Sequence, residues 1–168
     1  MEERLRIAGV VNDSIVDGPG FRLTVFTQGC PHRCPGCHNP QSHDLAGGRV
    51  ETVASLVEKL QSNPLLDGLT LSGGEPFLQP RPLACLAIQA HALGLTVWTY
   101  TGYTYEELLS GAAGEEAQLL LAHTDVLVDG RFELDQRTLE APFRGSANQR
   151  LIDVAASQAA GSPVLWQG

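Results

Sequence analysis

The strongest constraint on the fold is an alternation of short β-rich runs with helical runs. Arg22-Leu23-Thr24-Val25-Phe26-Thr27 mixes β-branched and aromatic residues and reads as a strand. Residues 68–72, 95–100 and 125–129 read the same way, with weaker strands at 5–11 and 151–154. Between them, Val53, Leu56, Val57 and Leu60 recur at helical spacing, as do Leu83, Leu86, Ala90 and Leu93 ahead of the stop residue Gly94. Residues 106–109 and 115–122 predict two further helices. Strands separated by helices imply βαβ units and a parallel sheet. The 168 residues fall short of the ~250 typical of an eight-fold barrel. The expected architecture is therefore α/β, a partial, open barrel whose parallel sheet carries flanking helices. No repeat, low-complexity tract or flexible linker divides the chain, so a single domain over 1–168 is expected.

Composition removes several classes of function. Eleven Lys and Arg against nineteen Asp and Glu give a net charge of −8, without the basic footprint that phosphate backbones demand. Nucleic acid is not an expected partner. No apolar run approaches the roughly 18–20 residues that cross a bilayer. Met1-Glu2-Glu3-Arg4 opens acidic, without the apolar core of a signal peptide. A soluble, cytoplasmic protein with no membrane partner is expected, and its four cysteines are poor disulfide candidates there.

Three of those cysteines form C-x3-C-x2-C in Gly29-Cys30-Pro31-His32-Arg33-Cys34-Pro35-Gly36-Cys37-His38-Asn39-Pro40. Three prolines and two glycines in twelve residues exclude a helix or a paired strand. Such a loop needs a bound metal to hold one shape, and thiolates suit zinc or iron–sulfur clusters. Cys30, Cys34 and Cys37 with His32 or His38 complete a Cys3His zinc site on one reading. On the other, three cysteines hold a [4Fe–4S] cubane and leave one iron open, as a catalytic site requires. Cys85, on an apolar helix, reads as a core residue. The remaining chemistry lies on the same sheet edge: Gly73-Gly74-Glu75-Pro76 follows Ser72, and Thr99-Tyr100-Thr101-Gly102 follows Trp98. Parallel α/β sheets bind ligands at that edge.

The cysteine motif paired with Gly-Gly-Glu-Pro after a strand resembles the radical S-adenosylmethionine family. Asp17-Gly18-Pro19-Gly20-Phe21-Arg22 and Cys37-His38-Asn39-Pro40 are similar to its activating enzymes of glycyl-radical enzymes. The short length, Cys34-Pro35-Gly36-Cys37 and the tail Asp129-Gly130-Arg131-Phe132 … Phe143-Arg144-Gly145-Ser146-Ala147-Asn148-Gln149-Arg150 most resemble the members that act on anaerobic ribonucleotide reductase. The likeness spans about residues 5–155. It implies that Cys30, Cys34 and Cys37 ligate a [4Fe–4S] cluster. It also implies that Gly36, His38, Ser72, Gly73, Gly74, Glu75, Tyr100, Thr101 and Gly102 bind S-adenosyl-L-methionine, chelated to the open iron. Many members carry an aromatic residue where this chain has Gly36, whose backbone must serve instead. Glu75 either accepts from the ligand ammonium or starts the next helix. Tyr100, Thr101 and Gly102 meet the ribose or carboxylate, unless Thr104 makes this stretch a plain helix cap. Asp17, Gly18, Pro19 and Gly20 form either a simple turn or the rim that admits the partner's glycine loop, while Arg144 and Asn148 stay open between ligand and partner. Four cysteines leave no room for the ferredoxin-like insertion of several relatives.

The implied reaction is one-electron cleavage of S-adenosylmethionine to methionine and a 5′-deoxyadenosyl radical, which takes a hydrogen from a glycine of the reductase large subunit. Flavodoxin is the expected donor, and no acid–base catalytic residue is expected. Two other readings stand beside it: activation of a different glycyl-radical enzyme such as pyruvate formate-lyase, and a non-catalytic zinc module.

Overall fold

The computed structural model describes residues 3–32, 34 and 44–167. Among these, strands β1 (Arg4–Ser14), β2 (Arg22–Thr27), β3 (Arg49–Thr52), β4 (Gly68–Gly73), β5 (Thr96–Tyr100), β6 (Val126–Asp129) and β7 (Arg150–Asp153) form one sheet. Its order is β3-β1-β2-β4-β5-β6-β7. Helices α1 (Val53–Ser62), α2 (Pro80–Ala92), α3 (Tyr105–Leu109), α4 (Ala117–Leu121) and α5 (Val154–Ala160) complete the described elements.

The sheet is mixed, which corrects the expectation of a parallel one. Strands β2, β4, β5 and β6 are parallel neighbours, whereas β1 pairs antiparallel with both β2 and β3, and β7 with β6. The connections explain the change. Residues 15–21 link β1 to β2, and residues 130–149 link β6 to β7, both without an α-helix. Only parallel neighbours require a crossover, usually helical.

The pleat divides the interior in two. Leu23, Val25, Leu69, Leu71, Val97 and Leu127 face the helices, where they meet Leu56, Leu60, Leu83, Leu86, Leu108 and Leu120 in the main core. Each fully buried leucine contributes about 1.5–3 kcal/mol. The intervening positions Trp98, Val126 and Val128 form a smaller cluster with Tyr100, Phe143, Leu151 and Trp166. Among the described residues, 15–21 and the tail, not α-helices, cover that second face. Arg22, fully buried there, lies over the Trp98 ring at 5.7 Å. It donates to Thr70 Oγ1, Thr96 Oγ1 and the carbonyls of Pro19, Leu69 and Thr96. Burial pulls its pKa down to about 10, which leaves it charged at neutral pH.

The helix ends follow local chemistry. Thr52 caps α1 by accepting from the Ser55 N–H, and Pro80 opens α2. Thr104 and Glu107 form a capping box on α3. Leu93, expected on the buried face of α2, is the residue that ends it and is exposed.

Candidate active site

A cleft of about 350 Å³ opens on the helix-free face, at the C-terminal ends of β2, β4 and β5. This lies within the ~300–1,000 Å³ typical of small-molecule sites. Cys30, Cys34, Ser72, Gly73, Gly74, Tyr100, Thr101 and Gly102 all line it. Two of the three expected metal ligands therefore share one cavity with six of the nine expected cofactor residues. Cys37, Gly36 and His38 lie outside the described residues. Cys85 sits on α2 and packs against the main core on the other face.

Backbone bonds join the two motifs. The Gly74 N–H donates to the Thr27 carbonyl at 2.9 Å and the Glu75 N–H to the Gly29 carbonyl at 2.7 Å. Gly73 crosses β2 so closely that a Cβ would lie 2.5 Å from the Thr27 nitrogen. Its glycine is required by the neighbouring strand. Glu75 is fully buried and does not line the cleft. Its carboxylate accepts from His32 Nε2, the Gly102 N–H, Thr101 Oγ1 and the Phe77 N–H. The last of these caps the turn Pro76–Leu78. Of the two roles read for Glu75, the turn-starting one is visible here, joined by cross-links to two other loops.

The expected rim divides. Asp17 lines the cleft, its Oδ2 accepting from Ser14 Oγ and Thr24 Oγ1. Gly18 is buried, and a Cβ there would sit 2.8 Å from Arg22 Cδ and 3.3 Å from Trp98. Pro19 binds Arg22 through its carbonyl, and Gly20 lies against Asp67. Of these three, Gly18 packs on the floor of that face, Pro19 is half-buried and Gly20 is exposed, and none of them lines the cleft. The exposed residues beside Asp17 are Ile15 and Val16, at 66% and 70%, and Val16 borders the cleft.

The tail adds a wall whose only sequence signal was its motif. Phe132, Phe143, Arg144 and Gln149 line the cleft. Phe143 is the one described non-glycine residue with positive φ, at 64°, a strained conformation that concentrates at functional sites. Its ring packs edge-on against Trp98, and its carbonyl accepts from the Tyr100 hydroxyl. Burial, assisted by the Asp17 charge, pushes the Tyr100 hydroxyl far above its ordinary range, so it stays a donor. The strained turn presents Arg144, whose Nη1 donates to the Gln149 carbonyl while its buried Nε has no partner among the described residues. Arg144 has no carboxylate partner among the described residues, unlike Arg49, Arg81, Arg131 and Arg150. Asn148 instead donates to the Arg131 carbonyl, outside the cleft lining.

Comparison with known proteins fits this geometry. Residues 16–152 match the family described as "4Fe-4S single cluster domain", a span that includes the cysteine loop and the cleft walls. Three similar proteins, from Pasteurella multocida, Vibrio cholerae and Enterobacteria phage T4, are each named anaerobic ribonucleoside-triphosphate reductase-activating protein. They are 37%, 35% and 33% identical over 144 residues. The alignments cover 80%, 80% and 81% of this chain and 89%, 89% and 86% of the relatives. Among solved structures, QueE from Escherichia coli aligns with 60% of this chain and 53% of its own at a TM-score of 0.47 and 17% identity, a likeness too slight to bear on the fold. The chain belongs to the 4Fe-4S single cluster domain family and, within it, to the anaerobic ribonucleoside-triphosphate reductase-activating proteins.

Proposed function

We propose that the chain, as one domain over 1–168 whose sheet is part of an open barrel, binds a [4Fe–4S] cluster and S-adenosyl-L-methionine and generates a glycyl radical on anaerobic ribonucleoside-triphosphate reductase. The observation that carries this is the single cleft shared by Cys30, Cys34 and the Gly73-Gly74 turn. When bound, the cluster supplies the electron that cleaves a carbon–sulfur bond of S-adenosylmethionine. Cys30, Cys34 and Cys37 would hold it, leaving one iron for the ligand. Ser72, Gly74, Tyr100, Thr101 and Gly102 would bind the ligand by their cleft-facing atoms, and Arg144 would meet its carboxylate. Phe132 and Phe143 offer the aromatic surface that Gly36 lacks. Ile15, Val16 and Asp17 would border the entry of the partner's glycine loop. The net charge of −8 favours a protein partner over nucleic acid, with flavodoxin as donor and the cytoplasm as setting.

Anaerobic reconstitution tests this directly. About four irons per chain, release of 5′-deoxyadenosine on reduction, and a glycyl signal on the reductase by electron paramagnetic resonance are expected. One zinc per chain and no cleavage would overturn it. Cleavage without a signal on this reductase, but with one on another glycyl-radical enzyme, would move the partner.

A further inference from the structure

Among the described residues, the buried Glu75 has no lysine or arginine at ion-pair distance; its basic neighbour is His32. A buried carboxylate is costly unless its oxygens are satisfied, and an ionised one offers about four acceptor sites. All are used. Oε1 takes His32 Nε2 at 2.6 Å and the Gly102 N–H at 2.8 Å, and Oε2 takes Thr101 Oγ1 at 2.7 Å and the Phe77 N–H at 3.1 Å. These donors come from three loops: the one between Cys30 and Cys34, the turn after β4, and the end of β5.

The fit around the imidazole is equally close. The His32 side chain is 4% exposed, and its ring meets Tyr103 edge-on with centroids 4.7 Å apart. A Cβ on Gly102 would lie 2.3 Å from His32 Cδ2, so residue 102 must be glycine for His32 to sit there. Backbone bonds fix the stem of the cysteine loop up to Gly29. Beyond that stem, His32 ties the loop to the frame.

We propose that His32 is a positioning residue: through Glu75 it fixes the loop bearing Cys30 and Cys34 against Thr101 and Gly102 on the cleft wall. The proposal rests on the reading of this cleft as the cluster and S-adenosylmethionine site. Its role is orientation, since the thiolates that assemble the cluster are left intact when His32 is changed. Small displacements of bound groups carry large penalties, up to about 10²-fold for 1 Å.

The test compares His32→Ala, His32→Gln and wild type after anaerobic reconstitution. Gln places an amide N–H near the position of Nε2 and keeps the bond to Glu75. His32→Ala is expected to load wild-type iron, to bind S-adenosylmethionine at least about tenfold more weakly, and to lose the spectral change that the ligand induces in the reduced cluster. His32→Gln is expected to restore most of both. Wild-type binding and spectral change in His32→Ala would overturn the proposal, as would a His32→Gln no better than Ala. Failure of both variants to load iron would make His32 an assembly residue or a ligand, and the proposal would fall. A wild-type protein that loads iron but binds no S-adenosylmethionine would overturn the cleft reading, and the positioning role with it.

Discussion

Arg144 shows most sharply what a single residue gains from its setting. One of its five N–H donors, through Nη1, is engaged by the Gln149 carbonyl. Its buried Nε stands unpartnered beside a cleft that also holds Cys30 and Cys34. A carboxylate hydrogen bond to a charged group contributes about 1.5–3 kcal/mol. Arg144→Gln should therefore weaken S-adenosylmethionine binding by roughly 10–100-fold, measured by calorimetry on the reconstituted protein. Binding of the decarboxylated analogue should change little; equal loss for both ligands would remove Arg144 from the carboxylate. The cysteines allow a second residue-scale prediction. Cys30→Ala, Cys34→Ala or Cys37→Ala should abolish cluster assembly, read as iron and sulfide content, while Cys85→Ala on α2 should retain it. The cysteine motif was legible as a motif because its spacing and its Pro/Gly loop lie within the chain order. Arg144 was legible only as a motif residue, because its wall exists only after the tail folds back over the sheet. Glu75 was read with two possible roles because its four donors come from loops up to 43 residues away in sequence.

At the scale of elements, the four central strands and the two long helices were readable because their apolar periodicity is strong. Strand β3, Arg49–Thr52, carries no alternation and lies exposed at the sheet edge. Helix α5 buries only Val154 and Ser157, too little for a stripe to be visible. Strand β7 was expected near its place but not in its direction, which depends on how the tail returns. Arg150 fixes that return. It grips the buried Asp129 at 3.0 and 2.5 Å and reaches Glu106 at 2.6 Å, tying β7 to β6 and α3. Arg150→Gln leaves Asp129 buried with the Tyr105 N–H, and should cost about 2–3 kcal/mol in denaturant unfolding of the apoprotein. The Arg150 hydrogen bond holds the Glu106 carboxyl below its ordinary value of 4.5. A carboxyl lowered in the folded state stabilises above its unfolded pKa and loses that contribution as pH falls through its folded one. The gap between wild type and Arg150→Gln should thus narrow as pH drops below 4.5; a constant gap would remove the Glu106 contact from the effect.

The whole molecule places its helices and its chemistry on opposite faces of one sheet. Helices α1 to α4 pack with the main core, while among the described residues the cleft lies on the face bordered by residues 15–21, the cysteine loop and the tail. A reactive radical needs shelter from water, and on the proposed function a partner docked over that face would supply it. Gly18 is a poor probe of that contact, because a side chain there would strike Arg22 and Trp98 and disturb the floor before reaching any partner. Val16 is the better probe. It is 70% exposed and borders the cleft beside Asp17, so a polar replacement removes apolar docking surface without emptying the core. A charge buried against a partner is costly unless paired. Val16→Asp should therefore keep iron content and partner-free cleavage of S-adenosylmethionine within about twofold of wild type, since an exposed substitution shifts stability by only about 0.5 kcal/mol. Glycyl-radical formation on the reductase, read by electron paramagnetic resonance, should fall at least about tenfold, the equivalent of 1.4 kcal/mol of lost association. Parallel loss of both activities would assign Val16 to the ligand site, and retention of both would place the docking surface elsewhere on the face.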